Sequence, residues 1–247
     1  YFDYSEGSNT GAVSTMPLKA DSFGRGLGLA SVDVRWPLIR PGNRFNLTLE
    51  PRMSLTVASK DDQQSRIRVE DGLGFEMDAT SLFRTVGAAG MDLWEPGSHI
   101  SLGMRAGVDV VPTSGSTTMP LRATAFLGQR IRTDDAGAFS RASNLDRKQS
   151  DWVGDFELRH GDYGSLTGRF RVDAETGKLV HTEALARLKL WRTETRLRYH
   201  EFDSSAAGPS RANKELQGSV ILTLNKNFKL FGALYRDFNT DTNLSAS

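Results

Sequence analysis

The 247 residues contain no cysteine, which removes disulfides, thiolate chemistry and cysteine-ligated metal from consideration. Long apolar runs are also missing. Only 38% of residues are hydrophobic and the mean hydropathy is -0.41, and nothing approaches the roughly 20 apolar residues of a membrane-spanning helix. Neither charge sign dominates, since 31 basic side chains stand against 30 acidic ones. A general binder of nucleic acid, working by counterion release, is therefore not expected.

Catalytic signatures are equally scarce. There is no G-x-S-x-G nucleophile elbow. Gly177-Lys178 after Glu175-Thr176 lacks the leading glycine and the following helix of a phosphate loop, and reads as a hairpin turn. The four histidines, His99, His160, His181 and His200, stand singly in different segments without metal-ligand spacing. His181 and Glu183 do share one strand face, a spacing open to a metal or an acid/base pair, but they read as lumen or surface residues. Asp61-Asp62 and Asp134-Asp135 read as solvated loop charge. No catalytic residue, cofactor or metal ligand is assigned.

What the chain does have is a repeated strand pattern. Phe45, Leu47, Leu49, Met53, Leu55 and Val57 alternate with Asn46, Thr48, Glu50, Arg52, Ser54 and Thr56. The same alternation sets Ile100, Leu102, Met104, Ala106, Val108 and Val110 against Ser101, Gly103, Arg105, Gly107 and Asp109. One face is oily and the other ionic, with no helices to cover the oily one. A membrane barrel with a wet lumen explains that imbalance. The fold expected is all-β, an antiparallel transmembrane β-barrel of about twelve strands belonging to a larger barrel, with residues 1–247 as one domain.

Strands are expected over residues 30–38, 45–57, 100–110, 121–131, 152–159, 166–173, 180–190, 193–202, 216–224 and 228–238. Pro51 predicts a bulge or kink. Residues 78–86 read as an ordered loop rather than a helix. Brief turns at 174–178, 191–192 and 225–227 contrast with a long loop at 203–213, the asymmetry of outer-membrane barrels. Trp36, Trp94, Trp152, Trp191, Tyr199, Tyr235 and Phe238 fall mostly near strand ends, where amphipathic rings would meet lipid headgroups. The first residues carry no signal peptide and the tail 243–247 is polar rather than aromatic-ended, so the chain reads as a piece incomplete at both ends, its closing strand missing.

The polar face supplies the candidate lumen lining: Arg105, Asp109, Arg169, Arg171, Asp173, Glu183, Arg187, Arg196 and Arg198. Arginine forks suit phosphates and carboxylates, while a structural charge ladder between neighbouring strands is the alternative.

The stretch Phe75-Glu76-Met77-Asp78-Ala79-Thr80-Ser81-Leu82-Phe83, followed by Gly90-Met91-Asp92-Leu93-Trp94-Glu95-Pro96-Gly97, closely resembles the barrel domain of the LptD family of outer-membrane lipopolysaccharide-assembly proteins. Leu127-Gly128-Gln129, Ser150-Asp151-Trp152-Val153-Gly154 and Arg169-Phe170-Arg171-Val172-Asp173 follow in family order. Phe75, Glu76, Asp78, Leu82, Phe83, Asp92, Glu95, Gly97, Gly128, Gln129, Ser150, Asp151, Val153 and Gly154 are the motif positions. The resemblance covers roughly residues 75–202 and implies the distal half of a large barrel in the bacterial outer membrane. It implies lipopolysaccharide or a related glycolipid as cargo, outer-membrane lipid around the wall, and an LptE-like lipoprotein in the lumen. It also implies periplasmic bridge proteins acting through an N-terminal domain not present here. The family's usual cysteines are missing.

A general porin-type channel and a soluble all-β binding module of two packed sheets are the competing expectations. Position separates the last from a barrel. Leu102, Met104, Leu188, Leu190, Val220 and Leu222 face lipid in a barrel and another sheet in a sandwich.

Overall fold

A computed structural model describes residue 24 and residues 26–61, 64, 67, 75–85, 93–110, 119–134, 139–203, 213–239 and 243–246. Twelve strands follow in order: β1 (Leu29–Arg35), β2 (Leu38–Arg40), β3 (Phe45–Ala58), β4 (Gly97–Val110), β5 (Leu121–Arg132), β6 (Trp152–His160), β7 (Gly164–Val172), β8 (Leu179–Leu190), β9 (Thr193–Phe202), β10 (Asn213–Thr223), β11 (Lys229–Asp237) and β12 (Asn243–Ala246). All belong to one antiparallel sheet in which each strand pairs with the next, β1 and β2 both lying against β3. The polar tail contributes β12, which pairs with β11. Among the described residues β1 and β12 do not pair, so the sheet is open.

The alternation fixes the faces, and burial runs opposite to that of a soluble sheet. Along β3, Leu55 is 47% exposed while Ser54 and Thr56 beside it are at 3% and 0%. Leu102, Met104, Leu188, Leu190 and Val220 are likewise exposed. No second sheet covers them among the described residues, which overturns the two-sheet expectation. The polar face is concave, since a cleft of about 620 Å³ is lined by residues from β6 through β10.

The longest connections gather at one end. At the other lie the turns 41–44, 161–163, 191–192 and 224–228 with the ten-residue connection 111–120, opposite the segments 59–96, 133–151, 173–178, 203–212 and 238–242. The brief 174–178 turn thus shares an end with the long loops, not with its short counterparts. Trp191, with φ of 53°, makes the tightest turn and is 87% exposed.

Three expectations fail for physical reasons. Pro51 causes no bulge: β3 holds one register with β4 from Phe45↔Val110 to Ala58↔Gly97. The missing donors of Pro37 and Pro51 instead split the neighbouring strand, leaving Trp36 N to donate to Pro51 O at 3.1 Å between β1 and β2. Trp94 is no headgroup anchor. It is buried, its indole donating to Ser59 O at 2.7 Å. Tyr235 faces the polar side, opposite Gln217 of β10.

Met104→Arg places a charge in the middle of the exposed apolar stripe. Its folding free energy in lipid vesicles, measured by urea titration, should fall by about 2 to 4 kcal/mol. Arg105, one residue along and on the polar face, should tolerate replacement by lysine with little change.

Candidate functional site

Two long connections fold back over the polar face and form a plug at one end of the wall. Its foundation is local. Asp78 accepts from Thr80 N, Ser81 N and the Ser81 hydroxyl, each at 2.9 Å, and Leu82 N reaches Asp78 O at 2.9 Å. This single Asx-capped turn is the ordered loop expected at this position. Burial works to raise the Asp78 pKa, but these hydrogen bonds outweigh it and hold the carboxyl below its usual value. A second segment carries a 3₁₀ turn over Arg141–Ser143, ended by Asn144 in the left-handed region at φ 61°. Met77 N donates to Ser143 O at 2.9 Å, and Asn144 accepts from Asp151 N at 2.7 Å.

The plug rests on a floor from which side chains have been removed. Gly103 and Gly128 face each other across β4 and β5. A Cβ on Gly103 would stand 2.7 Å from the Phe126 ring and 2.9 Å from Phe83, and one on Gly128 would collide with Leu82. Leu82, Met77, Phe75, Leu93, Phe139 and Leu145 pack there with Phe126 and Val153 of the wall. The hydrophobic core therefore lies between loops and sheet.

Two buried arginines lock the arrangement. Arg130 of β5, fully buried, donates to Glu95 at 2.8 Å, to Ser101 Oγ at 3.0 Å, to Leu82 O, and to Arg84 O at 2.9 Å. Arg171 of β7 donates to Asp151 at 2.7 Å, Glu76 at 3.1 Å, Ala142 O at 3.0 Å and Arg141 O at 2.9 Å. Arg141 in turn reaches Asp151 at 2.8 Å and Asp173 at 2.6 Å. Ser150 accepts from Arg130 N at 3.0 Å through its hydroxyl and from Gln129 at 2.8 Å through its carbonyl, pinning the return into β6.

The motif positions thus share one task. Phe75, Glu76, Asp78, Leu82, Phe83, Glu95, Gly128, Gln129, Ser150, Asp151 and Val153 all build the plug or its seat. Phe83 also lies under the Arg52 guanidinium at 4.1 Å. Gly97, at φ 82°, turns the chain into β4. Gly154 lies on the opposite, outer face beneath the Phe170 ring. Asp92 falls outside the described residues.

The register puts Arg105, Asp109, Arg169, Arg171, Glu183, Arg187, Arg196 and Arg198 on the concave face. Asp173 stands just past β7 and takes Glu175 N at 3.0 Å and Thr176 N at 2.8 Å. Several of these charges pair across strands. Arg105 meets Asp155 at 2.9 Å, Asp109 meets Arg122, and Arg187 and Arg196 share Glu194 at 3.0 and 2.7 Å. Arg169 bridges Asp78 of the plug at 3.1 Å and Glu183 at 2.6 Å. Arg198, His200, Glu215 and Gln217 line the cleft below.

A family model described as LptD, LPS transport system D, matches residues 3–228. The chain belongs to the LptD family. No curated protein matches it. An LptD family assignment means lipopolysaccharide transport at the outer membrane. No described helix is long and apolar enough to cross a membrane, which says nothing against crossing by strands.

Sequence reading missed as plug residues Arg130, Arg141, Asn144 and Arg132, which donates to Leu145 O at 3.0 Å and pairs with Glu95 at 3.3 Å. Arg130 adjoins the Gly128-Gln129 motif, which was its one available signal.

Arg171→Met leaves the buried Asp151 with Arg141 as its one remaining arginine and takes the guanidinium from Glu76, and should destabilise the docked plug by about 3 kcal/mol. Limited proteolysis should then cut within residues 75–85 and 139–151 while the strands stay protected. A second expectation concerns acid. Burial works to raise the Asp173 pKa, but the Thr176 and Glu175 hydrogen bonds and Arg141 outweigh it and lower it from 3.8 to about 2. A depressed carboxyl stabilises above its unfolded value and loses that contribution as protons bind. The protection of the 173–178 amides, the slowing of their exchange relative to that of the free peptide at the same pH, should be flat above about pH 5 and fall as pH falls from 3.8 towards 2.

Proposed function

We propose that the chain forms wall and plug of a non-enzymatic translocation barrel that moves lipopolysaccharide, or a related glycolipid, into the outer leaflet of the outer membrane. The observation that carries this reading is the inverted burial: an apolar outer stripe suited to acyl chains, backed by a concave ionic face with a cleft of about 620 Å³. A hydrated, phosphorylated saccharide is solvated by such a face, whereas acyl chains are not and must leave between strands. The long-loop end faces the exterior, as in bacterial outer-membrane barrels, so the plug lies on the outer side.

The cleft and the charges around Arg187, Arg196 and Arg198 form the surface on which an LptE-like lipoprotein would sit in the lumen. Periplasmic bridge proteins would deliver the glycolipid from the short-turn side. A passive porin is the competing reading. The plug favours the translocon, because a buried core pinned by two buried arginines covers the polar face at one end rather than leaving an open diffusion path.

Photo-crosslinking amino acids at Arg198 and Gln217 on the concave face, and at Leu188 on the outer face, test this in cells. Concave positions should give adducts with glycolipid or a lipoprotein, and Leu188 with bilayer lipid only. Steady single-channel conductance in planar bilayers, with no such adducts from the concave positions, would replace the translocon by a porin.

A further inference from the structure

The sheet register creates a cluster that the sequence keeps apart. His200 of β9 is the register partner of Glu183 of β8, and His181 lies two residues before Glu183 on the same face. One nitrogen from each imidazole and one carboxylate oxygen all lie within 4.8 Å of one another, the one such His/Glu grouping among the described residues. His181 Nε2 stands 3.7 Å, and His200 Nε2 4.0 Å, from Glu183 Oε1. These separations exceed hydrogen-bond length, and His181 Nε2 is buried and makes no hydrogen bond. Three electron-pair donors therefore converge without satisfying one another.

The other side of His181 is already fixed. Its Nδ1 lies 3.0 Å from Glu76 of the plug, so a proton on Nδ1 leaves the Nε2 lone pair aimed at the cluster. A carboxylate behind an imidazole is the arrangement that orients metal-binding histidines and raises their basicity. Phe202 packs on the same ring at 4.8 Å between centroids and limits its rotation.

We infer that His181, Glu183 and His200 form a binding site for a divalent transition-metal ion of the zinc type, with Glu76 as the positioning residue behind His181. Two imidazoles and a carboxylate match zinc and exclude the all-oxygen preference of calcium and magnesium. Zinc with bonds of about 2.0 to 2.1 Å sets its ligand atoms about 3.4 Å apart. Small side-chain rotations close the observed 3.7 and 4.0 Å separations to that value. The fourth coordination position faces the polar cleft, which His200 and Glu183 also line, and is open to water or an anionic oxygen. The bound ion would tie β8 and β9 together and, through Glu76, to the plug. This inference rests on the side-chain geometry and not on the identity of the cargo.

The test uses the full chain, tag-free and folded in detergent. Titration calorimetry with zinc should give one saturable site, and calcium or magnesium at the same concentration none. His200→Gln and Glu183→Gln should weaken zinc binding at least about tenfold, and Glu76→Gln should weaken it about 10- to 100-fold without removing a ligand. X-ray absorption of the zinc-loaded wild-type chain reads the site without any variant, and should show two imidazoles and an oxygen shell. Absence of stoichiometric zinc binding, fewer than two imidazoles at the metal, unchanged affinity in a folded His200→Gln chain, or stronger binding of calcium than zinc would each overturn the inference.

Discussion

A guanidinium removed from water must find acceptors for its donors, or the burial is prohibitively costly. Arg130 and Arg171 meet that condition only with the plug in place. Apart from Ser101 Oγ of β4, their partners are loop groups, Glu95, Leu82 O and Arg84 O for one, Asp151, Glu76, Ala142 O and Arg141 O for the other. The wall and the loops are therefore not separable modules. With the loops displaced, the arginines would be hydrated, the apolar seat at Phe126 and Val153 would be wet, and Glu95 and Asp151 would lose their countercharges.

The same constraint explains why the described part of the plug makes so many polar contacts. A lumen-facing loop cannot rely on depth of hydrophobic burial alone, because the polar face beneath it offers little apolar area. The glycine pair Gly103 and Gly128 provides a local exception, a bare patch where Leu82 and Phe83 meet Phe126. Around that patch the attachment is charge-assisted, which fixes geometry more sharply than apolar packing does. Arg169, bonded to Asp78 on one side and Glu183 on the other, continues this tie to the rim of the cleft.

The strands were legible because period-two alternation is a local property. β9 matches its expected limits, 193–202, residue for residue, and β5 differs by one. β4 begins three residues before the expected start, at Gly97, where its polar residues serve the plug. What the chain sequence hides is everything set by register. Glu183 and His200 lie 17 residues apart in sequence yet face each other, and Glu76 reaches His181 across 105 positions. Trp94 shows the limit of a composition argument. A tryptophan beside a strand can anchor at an interface or bury under a loop, and only its partners Ser59 and Gln64, 35 and 30 residues away, decide between them.

The uneven ends of the sheet then acquire a physical meaning. At the short-turn end the charges of Arg187, Arg196 and Glu194 pair among neighbouring strands and remain largely hydrated, so they contribute little to stability and are free to exchange partners with a guest. At the plug end Arg130, Arg171, Glu95 and Asp151 are buried, and each arginine is held by four hydrogen bonds. The concave face thus grades from exchangeable ion pairs at the first end to fixed ones at the second. The plug end is therefore the fixed part of the molecule, since Arg130 and Arg171 hold two loops and the sheet as one body.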